Sequence, residues 1–149
     1  MDIKLCSVRQ PWAWALIHGG KDVENRSWST NYRGLLAIHA GLRDHNTLAH
    51  DNWKEFEAQY VGKDAFKDFD AKKEPRGAII GVVEMFDCVP GHLVDSIWRD
   101  EEPGWFAWRV RNPIPLPEPI AYKGQLGLRD IEEPLRSVLL EIWATRTGA

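Results

Sequence analysis

The sequence predicts an α+β domain built as a small mixed β-barrel with peripheral helices. Two observations carry this. Segments of strand-like composition outnumber helical ones, and they follow one another in hairpin-like order instead of alternating with helices as in a parallel α/β sheet. A third sets the scale: a chain of 149 residues buries roughly two-thirds of the surface its unfolded form exposes, so residues 1–149 are expected to share a single core.

The elements follow from local pattern. Cys6-Ser7-Val8 reads as a short strand, and Pro11 stands where the first turn of a helix tolerates a missing N–H. The apolar run Trp12 to Ile17 makes Pro11 to His18 a short buried helix, stopped by Gly19-Gly20. Val23 to Trp28 is extended, and the turn residues Asn31 to Gly34 lead to a second strand at Leu35 to Ala40, expected to form a hairpin with the first. Leu48, Trp53, Phe56 and Tyr60 recur at roughly helical spacing, predicting a surface helix from Thr47 to about Tyr60. The charged stretch Gly62 to Arg76 reads as a loop or frayed helix.

Ala78 to Val83 is apolar and rich in β-branched residues, hence a buried strand running on to Cys88. Pro90 to Trp98 fits a short helix, and Phe106 to Val110 another strand. Asn112 to Pro119 carries four prolines and is expected to be an extended connector that cannot donate a full ladder of hydrogen bonds. Leu126 to Leu128 reads as a closing strand. A last helix, beginning near Pro134, is expected to bury Leu135, Val138, Leu139, Ile142 and Trp143.

Composition narrows the function classes. A hydrophobic fraction of 44% and a charged fraction of 28% are ordinary for a soluble domain. A formal charge of −3 argues against tight nonspecific binding of long nucleic acid, but leaves room for a nucleoside or a short single strand. Eight tryptophans favour either a compact aromatic core or a surface that stacks planar ligands. Cys6 and Cys88 form no C-x-x-C pattern, no secretory signal opens the chain and no apolar run reaches bilayer length. The expectation is a cytoplasmic protein with no membrane partner.

The polar residues worth singling out lie close together. In an extended segment alternate side chains share a face, so Glu24, Arg26 and Trp28 point one way, with Lys21 entering from the preceding turn. A cation, a carboxylate and a guanidinium beside an aromatic ring could supply a base, a hydrogen-bond clamp and a stacking wall. The same spacing also fits a solvated ion pair on a strand, a common and weak arrangement.

Ser7-Val8-Arg9-Gln10-Pro11-Trp12-Ala13, the segment Gly19 to Arg26 and the turn Tyr32-Arg33-Gly34 together resemble the ASCH domain family. Its hallmark, G-x-K-x-x-E-x-R, is matched at every fixed position by Gly19, Lys21, Glu24 and Arg26. The resemblance runs more loosely through Gly77 to Cys88, Asn112 to Pro119 and Gly124 to Leu128. It implies a PUA-like β-barrel with a cleft beside the motif. Some members of the family look like nucleic-acid-binding modules, whereas small bacterial members hydrolyse N4-acylated cytidines. A stand-alone domain of this size points to the enzyme.

In the bacterial amidohydrolases that the chain resembles, a Lys, a Thr and a distant Glu form the triad. Lys21 matches the first, but Glu24 stands where they place Thr. The expected mechanism therefore has Glu24 as general base on a water, Lys21 as oxyanion holder or proton donor, and Arg26 as an anchor. Glu84, a lone acid in an apolar strand, is the candidate third residue and would need Lys21 as a partner if buried; a strand-end carboxylate facing solvent fits equally. His39, on a strand expected to pair with the one carrying Glu24, either lines the pocket or is a hydrogen-bonded core histidine. Trp12 or Trp14 edges the cleft, Trp28 could stack on a pyrimidine, and Ser7, Arg9 and Gln10 could bind a carbonyl or phosphate. His45 and His50 lack metal-ligand spacing, and the proposed hydrolysis needs neither metal nor cofactor. The expected partner is a small nucleoside substrate, with short RNA, bound without reaction or cleaved by the same cleft, as the alternative.

Overall fold

The structure, a computed structural model, describes residues 1–44 and 66–148. The elements are β1 (Ile3–Val8), α1 (Trp12–His18), β2 (Val23–Arg26), β3 (Gly34–Ala40), β4 (Ala78–Pro90), a 3-10 turn at Gly91–Leu93, β5 (Phe106–Ala121), β6 (Leu128–Asp130) and α2 (Leu135–Thr147). The surface helix read from Thr47 to Tyr60 lies outside the described residues.

The strands form one six-stranded sheet in the order β2-β5-β4-β3-β1-β6. It is mixed: β1 and β3 run parallel, and the other neighbours are antiparallel. In a flat sheet with strands about 4.8 Å apart, β2 and β1 would lie roughly 19 Å from one another. Yet Arg26 at the end of β2 donates through Nη2 to the carbonyl of Ser7 on β1 at 2.8 Å. The sheet must therefore curl, bringing its two sides together as a half-barrel. The α+β class and the mixed, curled sheet expected from the sequence are both present.

Both faces of the central strands are covered, which is why they carry so little polar alternation. Cys6, Val8, Leu36, Ile38 and Val83 pack with Ala13, Leu16 and Ile17 of α1. Ile3, Leu5, Leu35, Ala37 and Val82 pack on the opposite face with Leu139 and Trp143 of α2. The approach of α1 is close. A Cβ on Gly81 of β4 would lie 2.6 Å from Ile17 Cδ1 and 2.8 Å from the Ile114 carbonyl oxygen, and the second of these cannot swing aside. Gly81→Ala is accordingly expected to destabilise the protein by about 1–3 kcal/mol, the usual cost of overpacking, read as a fall in the urea midpoint at unchanged slope.

Several sequence expectations need correcting. The two early strands make no hairpin, because β2 pairs with β5 while β3 lies between β4 and β1. The proline-rich stretch is no connector but the second half of β5, paired with β4 as far as Ala121. Its prolines occupy alternate positions, 113, 115, 117 and 119, and alternate N–H groups of a strand point to the same edge. β2 pairs only with Phe106 to Arg109 and asks nothing of the prolines, while β4 pairs Gly81 with Pro115 and Ile79 with Ile120, so that Pro117 and Pro119 fall where the ladder bulges. Register shifts along β4–β5 absorb the remaining irregularity. The helix expected at Pro90 to Trp98 shrinks to Gly91–Leu93, and the closing strand is displaced to Leu128–Asp130. In α2 only Leu139 and Trp143 are fully buried, and Val138 is exposed.

Candidate active site

Between the curled sides of the sheet lies a cleft of about 1030 Å³. Its walls include Trp12, Trp28 and Trp105, and Lys21, Glu24 and Arg26 lie among its charged residues. That volume is at the upper end of small-molecule sites.

Local structure explains how three charges converge there. The chain leaves α1 through Gly20, whose φ of +75° is left-handed and available to glycine without strain. The Lys21 amide then returns to the Ala15 carbonyl at 3.0 Å, closing the turn. β2 starts two residues later, and its alternation sends Glu24 and Arg26 to one side. Asn25, on the other, holds the Trp98 carbonyl and the Asp100 amide at 2.9 and 3.0 Å. A polar residue on each face thus fixes the strand between the cleft and the 96–100 loop.

The cluster is not a solvated surface pair. Lys21 is 4% exposed and Glu24 6%. Glu24 Oε1 accepts from Lys21 Nζ at 3.3 Å, while Oε2 accepts from Arg26 Nε at 3.2 Å and Nη2 at 2.9 Å. Lys21 Nζ also donates to the Val23 carbonyl, and its ammonium lies 5.9 Å from the centre of the Trp12 ring. Arg26 sits over the Trp108 ring at 5.6 Å. Burial draws the Lys21 pKa down against the opposing pull of Glu24, and it ends below its ordinary value. Burial alone would raise the Glu24 carboxyl, but Lys21 and Arg26 together carry it below the usual range. Cys6, whose sulfur is 3.5 Å from Arg26 Nη2, is buried and its thiol is pushed up to about 12, so it stays protonated.

This geometry alters the role read for Glu24. With one oxygen taken by an ammonium and the other by a guanidinium, its carboxylate is saturated and its basicity lowered. It suits an anchor that holds Lys21 and Arg26 in place better than a base.

Of the other residues read from the sequence, Ser7, Arg9, Trp12, Trp28 and His39 also line the cleft. His39 reaches it from β3, beside β1, not from a strand paired with β2. Two do not join. Gln10 is fully buried beneath α1, where Oε1 caps the Trp14 amide at 2.9 Å and Nε2 donates to the Pro75 carbonyl at 3.4 Å. Glu84 does not pair with Lys21: Arg111 and Asn112 hold it at 3.1 and 3.3 Å, and it is absent from the cleft lining. Arg111 keeps its carboxyl below the ordinary value, the signature of a strand-surface ion pair. Sequence reasoning missed Trp105, Arg43 and the segment Tyr122 to Gly127, all of which line the cleft. They come from loops far apart in the chain, and nothing in their local pattern marks them.

Among the described residues no group of three His, Cys, Asp or Glu side chains is gathered to hold a metal ion, and no helix is long and apolar enough to cross a membrane.

Comparison with known proteins places the cleft in a family context. The profile of the ASCH domain matches residues 6–119, a span containing the whole charged cluster. Activating signal cointegrator 1 of Homo sapiens is 38% identical over 124 residues, covering 79% of this chain, and its Mus musculus counterpart is 33% identical over 125 residues, again covering 79%. The chain spans about a fifth of the length of these curated relatives, 20% in each case. The crystal structure of ASCH from Zymomonas mobilis superposes with a TM-score of 0.55 at 15% identity, covering 94% of both chains. A point mutant of that protein gives 0.56 at the same 15% identity, over 95% of this chain and 98% of the other. At this identity the two structures attest the fold alone.

Proposed function

The chain belongs to the ASCH domain family, and from that premise we propose that it is a metal-independent amidohydrolase that removes the acyl group from N4-acylcytosine nucleosides. The observation that carries the reading is a nearly inaccessible lysine, ion-paired to a carboxylate, in a tryptophan-walled cleft large enough for a nucleoside.

Hydrolysis of an exocyclic amide needs a nucleophile, stabilisation of the tetrahedral oxyanion and a proton for the departing N4. An ammonium shielded from water interacts strongly with a developing oxyanion, because little solvent competes for it. Glu24 and Arg26 keep Lys21 in position, and Trp28, 39% exposed on the cleft wall, offers a face for the pyrimidine. Lys21→Met, which keeps much of the aliphatic volume, is expected to lower cytidine release from N4-acetylcytidine by about 100- to 1,000-fold, the scale of losing one oxyanion donor. Chromatographic detection of cytidine with the wild type and the variant tests this, and equal turnover by the two would overturn the role given to Lys21.

A second reading has its own support. Arg9, Arg43 and Lys123 line the same cleft and have no ion-pair partner among the described residues. Free cations at a cleft are suited to phosphates, so short RNA could be held there without reaction. Under that reading, RNA binding weakens steeply with salt and no cytidine appears.

A further inference from the structure

Two side chains in the cleft stand apart from the charged cluster and form a unit of their own. Ser7 and His39 are directly paired across the parallel β1–β3 ladder. Ser7 Oγ and His39 Nδ1 lie 3.2 Å apart. On the far side of the ring, Nε2 is 2.7 Å from the Tyr122 carbonyl oxygen. A carbonyl can only accept, so Nε2 carries the ring proton and Nδ1 presents a lone pair. The Gln125 amide donates to Ser7 Oγ at 3.2 Å, which leaves the hydroxyl proton directed at Nδ1.

The arrangement is a hydroxyl aimed at an imidazole whose tautomer is fixed by a third group, as an activated nucleophile requires. The fold makes room for it. The β3–β4 register slips between Ile38 and His39, the kind of irregularity that re-aims a side chain. The backbone at Gly124 runs across the pair so closely that a Cβ there would lie 2.8 Å from His39 Cε1, 3.2 Å from Nδ1 and 3.3 Å from Ser7 Oγ. The ring is 1% exposed, while Ser7 is only partly buried and lines the cleft. The hydroxyl is therefore the accessible member and the base the sheltered one.

We infer that Ser7 is the nucleophile of this cleft and His39 its general base, so that hydrolysis proceeds through an acyl-serine. This rests on the amidohydrolase reading for its substrate, and it supplies the activated nucleophile that the saturated Glu24 does not. In the first half, Ser7 Oγ bonds to the acyl carbonyl carbon as its proton passes to His39 Nδ1. The carbon–N4 bond then breaks, and His39 returns the proton to N4, releasing the cytosine nucleoside with its free amino group. In the second half, a water gives a proton to Nδ1 and attacks the ester. The acyl group leaves as a carboxylic acid, and the proton returns to Ser7 Oγ.

A fluorophosphonate probe tests the nucleophile without depending on the substrate, because an activated serine displaces its fluoride and becomes phosphonylated. Peptide mass spectrometry of the full chain is expected to find the label on Ser7, to find none in Ser7→Ala, and to show labelling slowed about 100- to 10,000-fold in His39→Asn, as loss of a general base produces. Gly124→Ala, whose added methyl group would crowd both members of the pair, should slow labelling at temperatures well below its own melting transition, where the variant remains folded. A wild-type Ser7 that stays unlabelled overturns the inference, as does a Ser7→Ala variant that releases cytidine at the wild-type rate. If Ser7 is labelled but N4-acetylcytidine is not cleaved, the nucleophile stands and the assigned substrate falls. If cytidine is released while Ser7 stays unlabelled, the amidohydrolase stands and the nucleophile falls.

Discussion

Glu24→Ala is expected to destabilise the protein by about 3–5 kcal/mol, the cost of removing the counter-charge from a buried ionic cluster. The side chain is 6% exposed and serves Lys21 on one oxygen and Arg26 on the other. Its loss leaves two cations facing one another in a site that water reaches poorly. Lys21→Met should cost less, because Glu24 then retains Arg26 at 2.9 Å and the remaining pair is neutral. Urea denaturation of the two variants gives the comparison directly, and a Glu24→Ala protein as stable as the wild type would show that the cluster is hydrated. Acid adds a signature. The folded Glu24 pKa lies below its unfolded value near 4.5, so its contribution is complete above that pH and fades as the pH falls from there through the folded value. In Glu24→Gln this part of the acid-side decline should be missing.

Trp108→Ala is the second large effect, at about 3–5 kcal/mol for a large aromatic side chain removed from a packed core. Trp108 is fully buried, and it joins core to site. Its ring meets the edge of Trp28 with centroids 4.6 Å apart, its Nε1 donates to the Trp28 carbonyl at 3.2 Å, and Arg26 lies across it. The substitution should therefore disturb the cleft wall and the Arg26 anchor together, lowering turnover even under conditions where the variant remains folded. Trp108→Phe keeps an aromatic ring but removes the donor. It should cost about 0.5–1.5 kcal/mol, the net worth of the hydrogen bond to the Trp28 carbonyl. Equal loss in the two variants would place the whole effect in the hydrogen bond, contrary to the packing argument.

The cluster was legible in the sequence because it is local. A glycine turn followed by strand alternation is enough to bring Lys21, Glu24 and Arg26 to one side, and the spacing of the motif records that directly. What spacing could not supply was burial, which depends on the sheet curling until Arg26 meets β1. The errors have the same root. β2 and β3 are neighbours in sequence and look like a hairpin, but β5 and β4 come between them in the sheet, and only long-range pairing decides that. The prolines of β5 argue against a strand when judged one residue at a time; they become tolerable only once β2 is known to stop at Arg109 and the β4–β5 ladder to bulge around them. Glu84 looked solitary because Arg111 and Asn112, its partners, arrive from β5. Gln10 looked available because the turn that caps α1 with its side chain was invisible. The Ser7–His39 contact depends on a parallel register between strands separated by α1 and β2, so each residue was noticed and their union was not.

The account turns on a lysine ammonium held out of bulk water by burial and paired to a carboxylate at the cleft wall, and its titration can be followed directly. Heteronuclear NMR of the Lys21 side chain should place its pKa below 10.5 in the wild type, with burial outweighing Glu24, and lower still in Glu24→Gln, where the opposing charge is gone. A value at or above 10.5 that does not respond to the Glu24 substitution would contradict it, since an ammonium so insensitive to both its partner and its burial is exposed to bulk water.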